Sequence, residues 1–369
     1  MSIVGTGSSS TGWIRAFESG PAWCLAFAES KSGTGLAYGC ADGLIRTADP
    51  ETGAALLGPF KGHSGAVLCL ASGSPDDPSQ VASGGIDGTV RLWNLSTGTP
   101  GGEPLLGHTG GVRGVAWGGE TGAVLLASSG ADGTVRIWDP QTGELLCAPL
   151  KGHTGSVLSV AFGVVDGRTV LASAGDDATV VLWDPWSGAP LGDPMRGHAG
   201  GVRCVAFGQI DSRAVLASAS DDGTIRLWDP ASGVPLFGRL MGHVGLVRTV
   251  AFGEIDEGVF LASGGIDGTI RLWDPRNGTA HAAHIAAPAT DVRSIAFRRD
   301  GHGTAVAVAD GRGCAVARFD SLVMPSRLFP PEADRSAIVT ADALDEADVF
   351  GRVILARHLL GVLGQLIVA

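Results

Sequence analysis

Histidine, serine and aspartate return together five times in this chain, always 45 residues apart. These are the residue types of a hydrolytic triad, in which a carboxylate orients an imidazole that takes a proton from a hydroxyl nucleophile. A tryptophan returns in the same phase, and one nucleophile is not needed five times over. The spacing therefore favours a structural role. The repeated residues are His63, Ser83, Asp87, Trp93, His108, Ser128, Asp132, Trp138, His153, Ser173, Asp177, Trp183, His198, Ser218, Asp222, Trp228, His243, Ser263, Asp267 and Trp273.

A fixed repeat of this length is typical of a chain built from one stacked supersecondary unit. In the copy that starts at His153, Val157 and Val160 stand three residues apart within one apolar run, which predicts a β-bulge because strand side chains alternate with a period of two. Four short strands are expected at residues 156–162, 169–173, 179–183 and 190–195. Four antiparallel strands per repeat predict a β-propeller blade, and hence an all-β fold.

Degraded copies of the repeat flank the five clear ones and bring the predicted number of blades to seven. The segment 22–46 matches the repeat without its histidine, and 292–320 matches it with Pro288 at the histidine position. Residues 12–17 occupy the phase of a fourth strand, so we expect them to complete blade 7 and remove an open sheet edge. Because blades 1 and 7 lack the repeated polar residues, we expect the weakest part of the ring where they meet.

Composition narrows the possible partners and compartments. The net charge is −11, which disfavours nucleic acid and anionic membranes as partners, and no apolar run approaches the ~20 residues of a membrane span. Six cysteines occur without a C-x-x-C pair, so we expect free packing thiols and a cytoplasmic location. The Ala/Gly richness, with only three lysines among 26 basic residues, indicates a bacterial source with a GC-rich genome.

Gly-His pairs stand before the first strand of the five clear repeats, and Trp-Asp closes the third strand of four of them, with Trp93-Asn94 as the variant. These dipeptides and the 45-residue spacing resemble the WD40 family over about residues 12–320. The resemblance implies a seven-bladed propeller of four-stranded antiparallel blades. It also implies that the repeated His, Ser, Asp and Trp form a buried hydrogen-bond network in each blade.

The resemblance further implies a peptide-binding top face, which carries the entries to the first strands and the turns between the second and third strands. Carried over position by position, the candidate partner-binding residues are Trp23, Leu68, Ile86, Arg113, Leu158, Arg203, Leu246, Arg248, Ile266 and Arg293.

Four of these residues are arginines, whose planar guanidinium suits a carboxylate or phosphate. We therefore expect an acidic peptide to bind them, with an apolar anchor near Trp23, Leu68 and Ile86. The alternative is that the arginines pair with the neighbouring carboxylates Asp176, Asp221 and Asp291 and only solvate the rim.

The tail departs from the repeat after residue 320. Residues 1–11 are expected to be a flexible N-terminus, 321–339 a Pro-rich linker, and 340–369 an amphipathic C-terminal helix with apolar residues on one face. That helix either packs on the propeller or docks a partner or a further domain. The run 348–363 resembles the lead-in to bacterial P-loop NTPase domains, although the chain contains no G-x-x-x-x-G-K-[ST].

The sequence thus predicts a non-catalytic scaffold that binds a protein or peptide partner. Two alternatives stay open: a sensor or regulatory propeller joined through the C-terminal helix to a larger signalling assembly, for example with a P-loop NTPase, and an enzyme with an active site at the channel mouth. No cofactor is expected. No metal site is expected either, since His281 and His284 lack further ligands nearby in sequence.

Overall fold

The computed structural model describes residues 13–16, 20–30, 33–120, 122–255, 258–286, 291–300 and 303–319. The N-terminus 1–11, the linker 321–339 and the helix 340–369 expected from the sequence lie outside these residues. The described chain forms 26 β-strands in seven antiparallel sheets. No helix long and apolar enough to cross a membrane occurs in these ranges.

The strands follow the repeat, with one sheet for each predicted blade. Strand β1 (Trp13–Ala16) begins the described chain. Blade 1 contains β2 (Ala22–Ser30), β3 (Gly33–Cys40) and β4 (Ile45–Ala48); blade 2 contains β5 (Val67–Ser72), β6 (Gln80–Gly85), β7 (Val90–Asn94) and β8 (Thr99–Pro100); blade 3 contains β9 (Val112–Glu120), β10 (Ala123–Gly130), β11 (Thr134–Trp138) and β12 (Leu150–Lys151).

The second half of the ring repeats this pattern. Blade 4 contains β13 (Val157–Val165), β14 (Arg168–Gly175) and β15 (Val180–Trp183); blade 5 contains β16 (Val202–Ile210), β17 (Arg213–Ser220), β18 (Ile225–Asp229) and β19 (Val234–Pro235); blade 6 contains β20 (Val247–Ile255), β21 (Gly258–Gly265), β22 (Thr269–Asp274) and β23 (Thr279–Ala286); blade 7 contains β24 (Ser294–Asp300), β25 (Gly303–Asp310) and β26 (Gly313–Phe319). In blades 1 and 4 the fourth strand is reduced to isolated bridges, such as Val180 with Met195.

The ring closes as the sequence predicted. The first strands of successive blades contact each other in a full circle, from β2 through β24 and back to β2. Strand β1 pairs antiparallel with β26, with Trp13 opposite Ala317 and Ala16 opposite Cys314. The seven-bladed propeller and its closure by the N-terminal strand are therefore confirmed.

The hydrophobic core lies between neighbouring blades. Leu182 of blade 4, for example, belongs to one buried cluster with Val205, Leu216 and Trp228 of blade 5. Full burial of a side chain of this size stabilises a fold by about 1.5–3 kcal/mol. Stacking of blades, rather than any single blade, thus supplies the apolar burial.

The predicted β-bulge is present in the first strand of blades 1 to 6. In blade 4, Val157 pairs with Gly175 and Ser159 pairs with Ala174, so Leu158 between them has no partner in the ladder. A bulge of this kind turns the side chain of the extra residue away from the regular alternation. The residues in this position in the other five blades are Trp23, Leu68, Arg113, Arg203 and Arg248. Six of the candidate top-face residues are therefore bulge residues.

Candidate functional site

Each of the five central blades contains a four-residue hydrogen-bond network. The histidine Nδ1 lies 2.9–3.1 Å from the aspartate carboxylate. Its Nε2 lies 2.7–2.9 Å from the serine Oγ. The tryptophan Nε1–H donates to the same Oγ at 2.8–2.9 Å. With a neutral imidazole, the serine donates to Nε2 and accepts from the indole, so every polar atom of the set is paired.

These networks have the connectivity of a catalytic triad but not its accessibility. Ser83, Ser128, Ser173, Ser218 and Ser263 all have an exposed fraction of 0%. A nucleophile must reach a substrate carbonyl or phosphoryl group, and here the hydroxyl is buried and already bonded to the imidazole and the indole. The geometry therefore suits a buried structural network.

In blade 3, burial and hydrogen bonding shift the ionisation of the histidine and the aspartate of the network. Burial lowers the pKa of the His108 imidazole below its ordinary value, and the nearby Asp132 only partly offsets this effect. Burial opposes ionisation of Asp132 as well, but hydrogen bonds from the Thr109 N–H, the Thr134 hydroxyl and His108 outweigh it and lower the pKa of the carboxyl. A carboxylate beside a neutral imidazole is thus the state that the fold favours.

Blades 1 and 7 replace this network with contacts across their common seam. The serine position holds the buried Tyr38 in blade 1, and the tryptophan position holds Arg318 in blade 7. Arg318 forms an ion pair with Glu51 of blade 1. A second pair joins Arg298 to Glu29 at 3.2 Å. The sequence predicted that the seam lacks the network. It did not predict these ion pairs, because their residues do not belong to the repeated pattern.

The candidate partner-binding residues surround one end of the propeller, the top face. Ile86 (55% exposed), Ile266 (39%) and Trp23 (37%) are its exposed apolar side chains. Leu68, Leu158 and Leu246 are half-buried. The apolar and the basic groups meet at the seam, where the Arg293 guanidinium lies over the Trp23 ring at 4.2 Å from its centroid.

Three of the four top-face arginines are paired within the molecule. Arg203 donates to both oxygens of Asp221, at 2.7 and 2.6 Å. Arg248 and Arg293 share Asp291, at 2.8 and 3.1 Å. For these three residues the structure has the internal pairing that the sequence left open as an alternative.

Arg113 differs from the other three. It is exposed, and it forms no ion pair with any residue in the described ranges. Asp221 stands 18 residues after Arg203, and the residue 18 after Arg113 is Ala131. Asp291 stands 43 residues after Arg248, and the residue 43 after Arg113 is Ser156. The repeat register therefore explains why Arg113 lacks a carboxylate partner.

The preceding blade contributes the second neighbour of each arginine. The hydrogen bond that Arg203 donates to Asp221 raises the pKa of its guanidinium, and the charge of Asp176, whose side chain lies against Gly201, raises it further. At the matching place in blade 3, Ile86 lies against Gly111, where an added Cβ would come within 3.2 Å of it. Arg203 thus has carboxylates at both neighbouring positions, whereas the matching positions around Arg113 hold the apolar Ile86 and Ala131.

A cavity of about 380 Å³ opens beside these positions, between blades 3 and 4. Its lining includes Ala131, Ser156 and the exposed Lys151. Asp132 also lines it, but that carboxylate accepts hydrogen bonds from His108 and from the Thr109 N–H. The space where other blades place a carboxylate is therefore open here and has one further cation at its edge.

A family model described as WD domain, G-beta repeat matches residues 55–94, 101–139, 144–184, 190–229 and 235–274. These segments make up more than half of the chain. The chain belongs to the WD40 family. Each matched unit runs from the fourth strand of one blade into the third strand of the next, and the five units contain the five networks. A search of curated proteins finds no matching relative. WD40 propellers generally act as scaffolds for protein interactions, and the fold is consistent with that role.

The WD40 repeat register supplies the top-face candidates from the sequence but does not rank them. The ranking depends on which carboxylates reach which arginine, and the register of Ala131 and Ser156 against Asp221 and Asp291 was the signal available for it. Among the described residues, no group of three or more His, Cys, Asp or Glu side chains could hold a metal ion. None of the six cysteines, all of which lie in the described ranges, forms a disulfide.

Proposed function

We propose that this WD40 propeller is a non-catalytic interaction scaffold whose top face binds a carboxylate-bearing peptide segment of a partner protein at Arg113. The observation that carries the proposal is that Arg113 is exposed and forms no ion pair with a described residue, while its two carboxylate positions in the repeat hold Ala131 and Ser156, which line an open cavity. A peptide carboxylate would take the place that Asp221 has beside Arg203. An apolar peptide residue would contact Ile86 and Leu68.

The paired arginines have a supporting role in this proposal. Arg203, Arg248 and Arg293 are held by Asp221 and Asp291, so a ligand would have to displace an internal partner to reach them. Their ion pairs are partly exposed, and exposed pairs contribute only about 0–1 kcal/mol each. They therefore set the shape of the rim more than its affinity.

The cysteine thiols support a proposal for the cellular location. Six cysteines without a disulfide among them, several of them buried, are compatible with a reducing environment, where disulfides are rare. We therefore place the scaffold in the cytoplasm as part of the same proposal.

The test uses short labelled peptides and fluorescence anisotropy. The probes are N-acetylated, C-amidated hexapeptides with one leucine or phenylalanine next to Asp or Glu, each with an Asn or Gln counterpart. We expect acidic members to bind more tightly than their amide counterparts. Arg113→Ala should weaken them about tenfold or more, since a hydrogen bond to a charged group contributes about 1.5–3 kcal/mol and 1.4 kcal/mol corresponds to a factor of ten.

The matched control is Arg196→Ala. Arg196 is also exposed, but it follows the outer strand segment of blade 4 and lies outside the top-face set. We expect this variant to bind as the parent protein does. Equal binding of acidic and amide peptides, or unchanged binding by Arg113→Ala, would overturn the proposal.

A further inference from the structure

A second cavity lies at the end of the blades opposite the top face. It has a volume of about 1000 Å³. It is bordered by the ends of β9 and β10, the hairpin turn between β13 and β14, the turn after β15 and the turn after β18, so it spans blades 3 to 5. This cavity shares no lining residue with the cavity on the top face.

The cavity combines an apolar wall with unpaired negative charge. Trp186, Leu191 and Met195 line one part of it. Glu120, Asp166, Asp184 and Asp193 also line it, against the single cation Arg168. Glu120, Asp166 and Asp193 form no ion pair with any residue that the structure describes. The lining therefore has a charge of −3 that the molecule does not neutralise at close range.

Trp186 is the exception in its repeat position. The matching residues in the other central blades are Ser96, Gln141, Ala231 and Arg276. The turn itself is made by Asp184, which accepts from the Trp186 N–H at 3.0 Å and from the Ser187 hydroxyl at 2.7 Å. Neither contact needs an indole, and the ring is 53% exposed. Turn geometry thus does not account for this tryptophan.

We propose that this cavity binds a basic peptide segment, with an arginine or lysine side chain over the Trp186 ring and its charge beside Asp166 and Asp193. An indole face attracts a cation, and carboxylates around it favour the same sign of charge. An apolar residue next to the basic one would contact Leu191 and Met195. The two ends of the propeller would then select partners of opposite charge, which suits a scaffold that brings two proteins together.

The test uses the full chain and labelled peptides that carry no carboxylate. The probes are N-acetylated, C-amidated peptides of the form Gly-Leu-Arg-Leu-Gly and Gly-Leu-Lys-Leu-Gly, with a glutamine counterpart. We expect the basic peptides to bind more tightly than the glutamine peptide, and Trp186→Ala to weaken them about tenfold. The double variant Asp166→Asn with Asp193→Asn should weaken them further and reduce the dependence of binding on salt.

We expect these variants to keep the fold, because the substituted side chains lie at the surface. Trp186, Asp166 and Asp193 are exposed, and asparagine tolerates the positive φ of 49° at position 166. Gln141→Ala, at the repeat position that matches Trp186, is the control that should change nothing, and Arg113→Ala should leave basic peptides unaffected. If the glutamine peptide binds as tightly as the basic ones, or if Trp186→Ala binds them as the parent does, the proposal is wrong.

Discussion

Arg203 and Asp221 form a two-pronged ion pair on the top face, with nitrogen–oxygen distances of 2.7 and 2.6 Å. The same two repeat positions hold Arg113 and Ala131 in blade 3. One scaffold thus presents the same arginine twice, once neutralised and once free. Two exchanged neighbours, Ala131 for Asp221 and Ile86 for Asp176, distinguish the candidate binding site from the rim contact.

The networks should contribute strongly to stability. Replacing Ser218 with Ala leaves the Trp228 indole N–H and the His198 Nε2 buried without a partner. Each unsatisfied group costs about 1–3 kcal/mol, so the free energy of unfolding should fall by at least that amount. Denaturant unfolding measures it. Ser232→Ala, which removes an exposed hydroxyl bonded to Asp229, should stay within about 0.5 kcal/mol of the parent. Equal effects of the two variants would contradict the assigned role of the network.

The turn of blade 4 should gain stability from a glycine. Ala178 has a φ of 63°, at the position where blades 2, 3, 5 and 6 have glycines with φ between 71° and 82°. A side chain in this region costs about 1–2 kcal/mol, partly offset by the greater chain entropy of glycine. Ala178→Gly should therefore raise the free energy of unfolding by about 0.5–1 kcal/mol, as thermal and denaturant unfolding can show. Gly133→Ala should have the opposite sign; a loss of stability in Ala178→Gly would refute the expectation.

Acidification should destabilise the propeller in a defined direction. Burial lowers the pKa of His63, His108 and His243 below the ordinary 6.5. Below about pH 6.5 these histidines therefore bind protons in the unfolded chain but stay neutral in the native state. The contribution of the neutral histidines to the free energy of unfolding is complete above that pH and is lost as the pH falls through their native pKa values. The depressed pKa of the network aspartates extends the loss below their ordinary 3.8.

The measurement is the melting temperature between pH 8 and pH 5. We expect a plateau at the alkaline end and a progressive decrease below about pH 6.5. A melting temperature that rises on acidification through this range would contradict the ionisation states assigned to the network.

The structure agrees with the sequence-based predictions for the features that the repeat determines. The seven blades, the bulge before Ser159 and the closing strand β1 all follow from residue periodicity, because strand pairing is a local and regular interaction. The pairing of Arg248 with Asp291 of the next blade, and the cavity beneath Trp186, depend on how blades face each other. Contacts of this kind depend on three-dimensional distances that one repeat read alone does not contain.

The seam between blades 1 and 7 should open before the rest of the ring. It lacks the buried network and is joined by partly exposed ion pairs such as Arg298 with Glu29, which contribute little. Hydrogen exchange should therefore show weaker protection of strands β2–β4 and β24–β26 than of blades 3 to 5. Protection that is equal around the ring would show that the seam contacts replace the network fully.

The role of Arg113 as the anion anchor is tested most directly by giving it the carboxylate partner that Arg203 already has. Ala131→Asp places a carboxylate 18 residues after Arg113, in the register of Asp221 after Arg203. Ala131→Asn adds the same volume without the charge and is the control. Affinity for the acidic hexapeptides is measured for both, together with their melting temperatures. We predict that the aspartate variant loses about tenfold or more in affinity while the asparagine variant keeps it. Acidic peptides that bind equally well to both variants would contradict the assignment of Arg113 as the anion anchor.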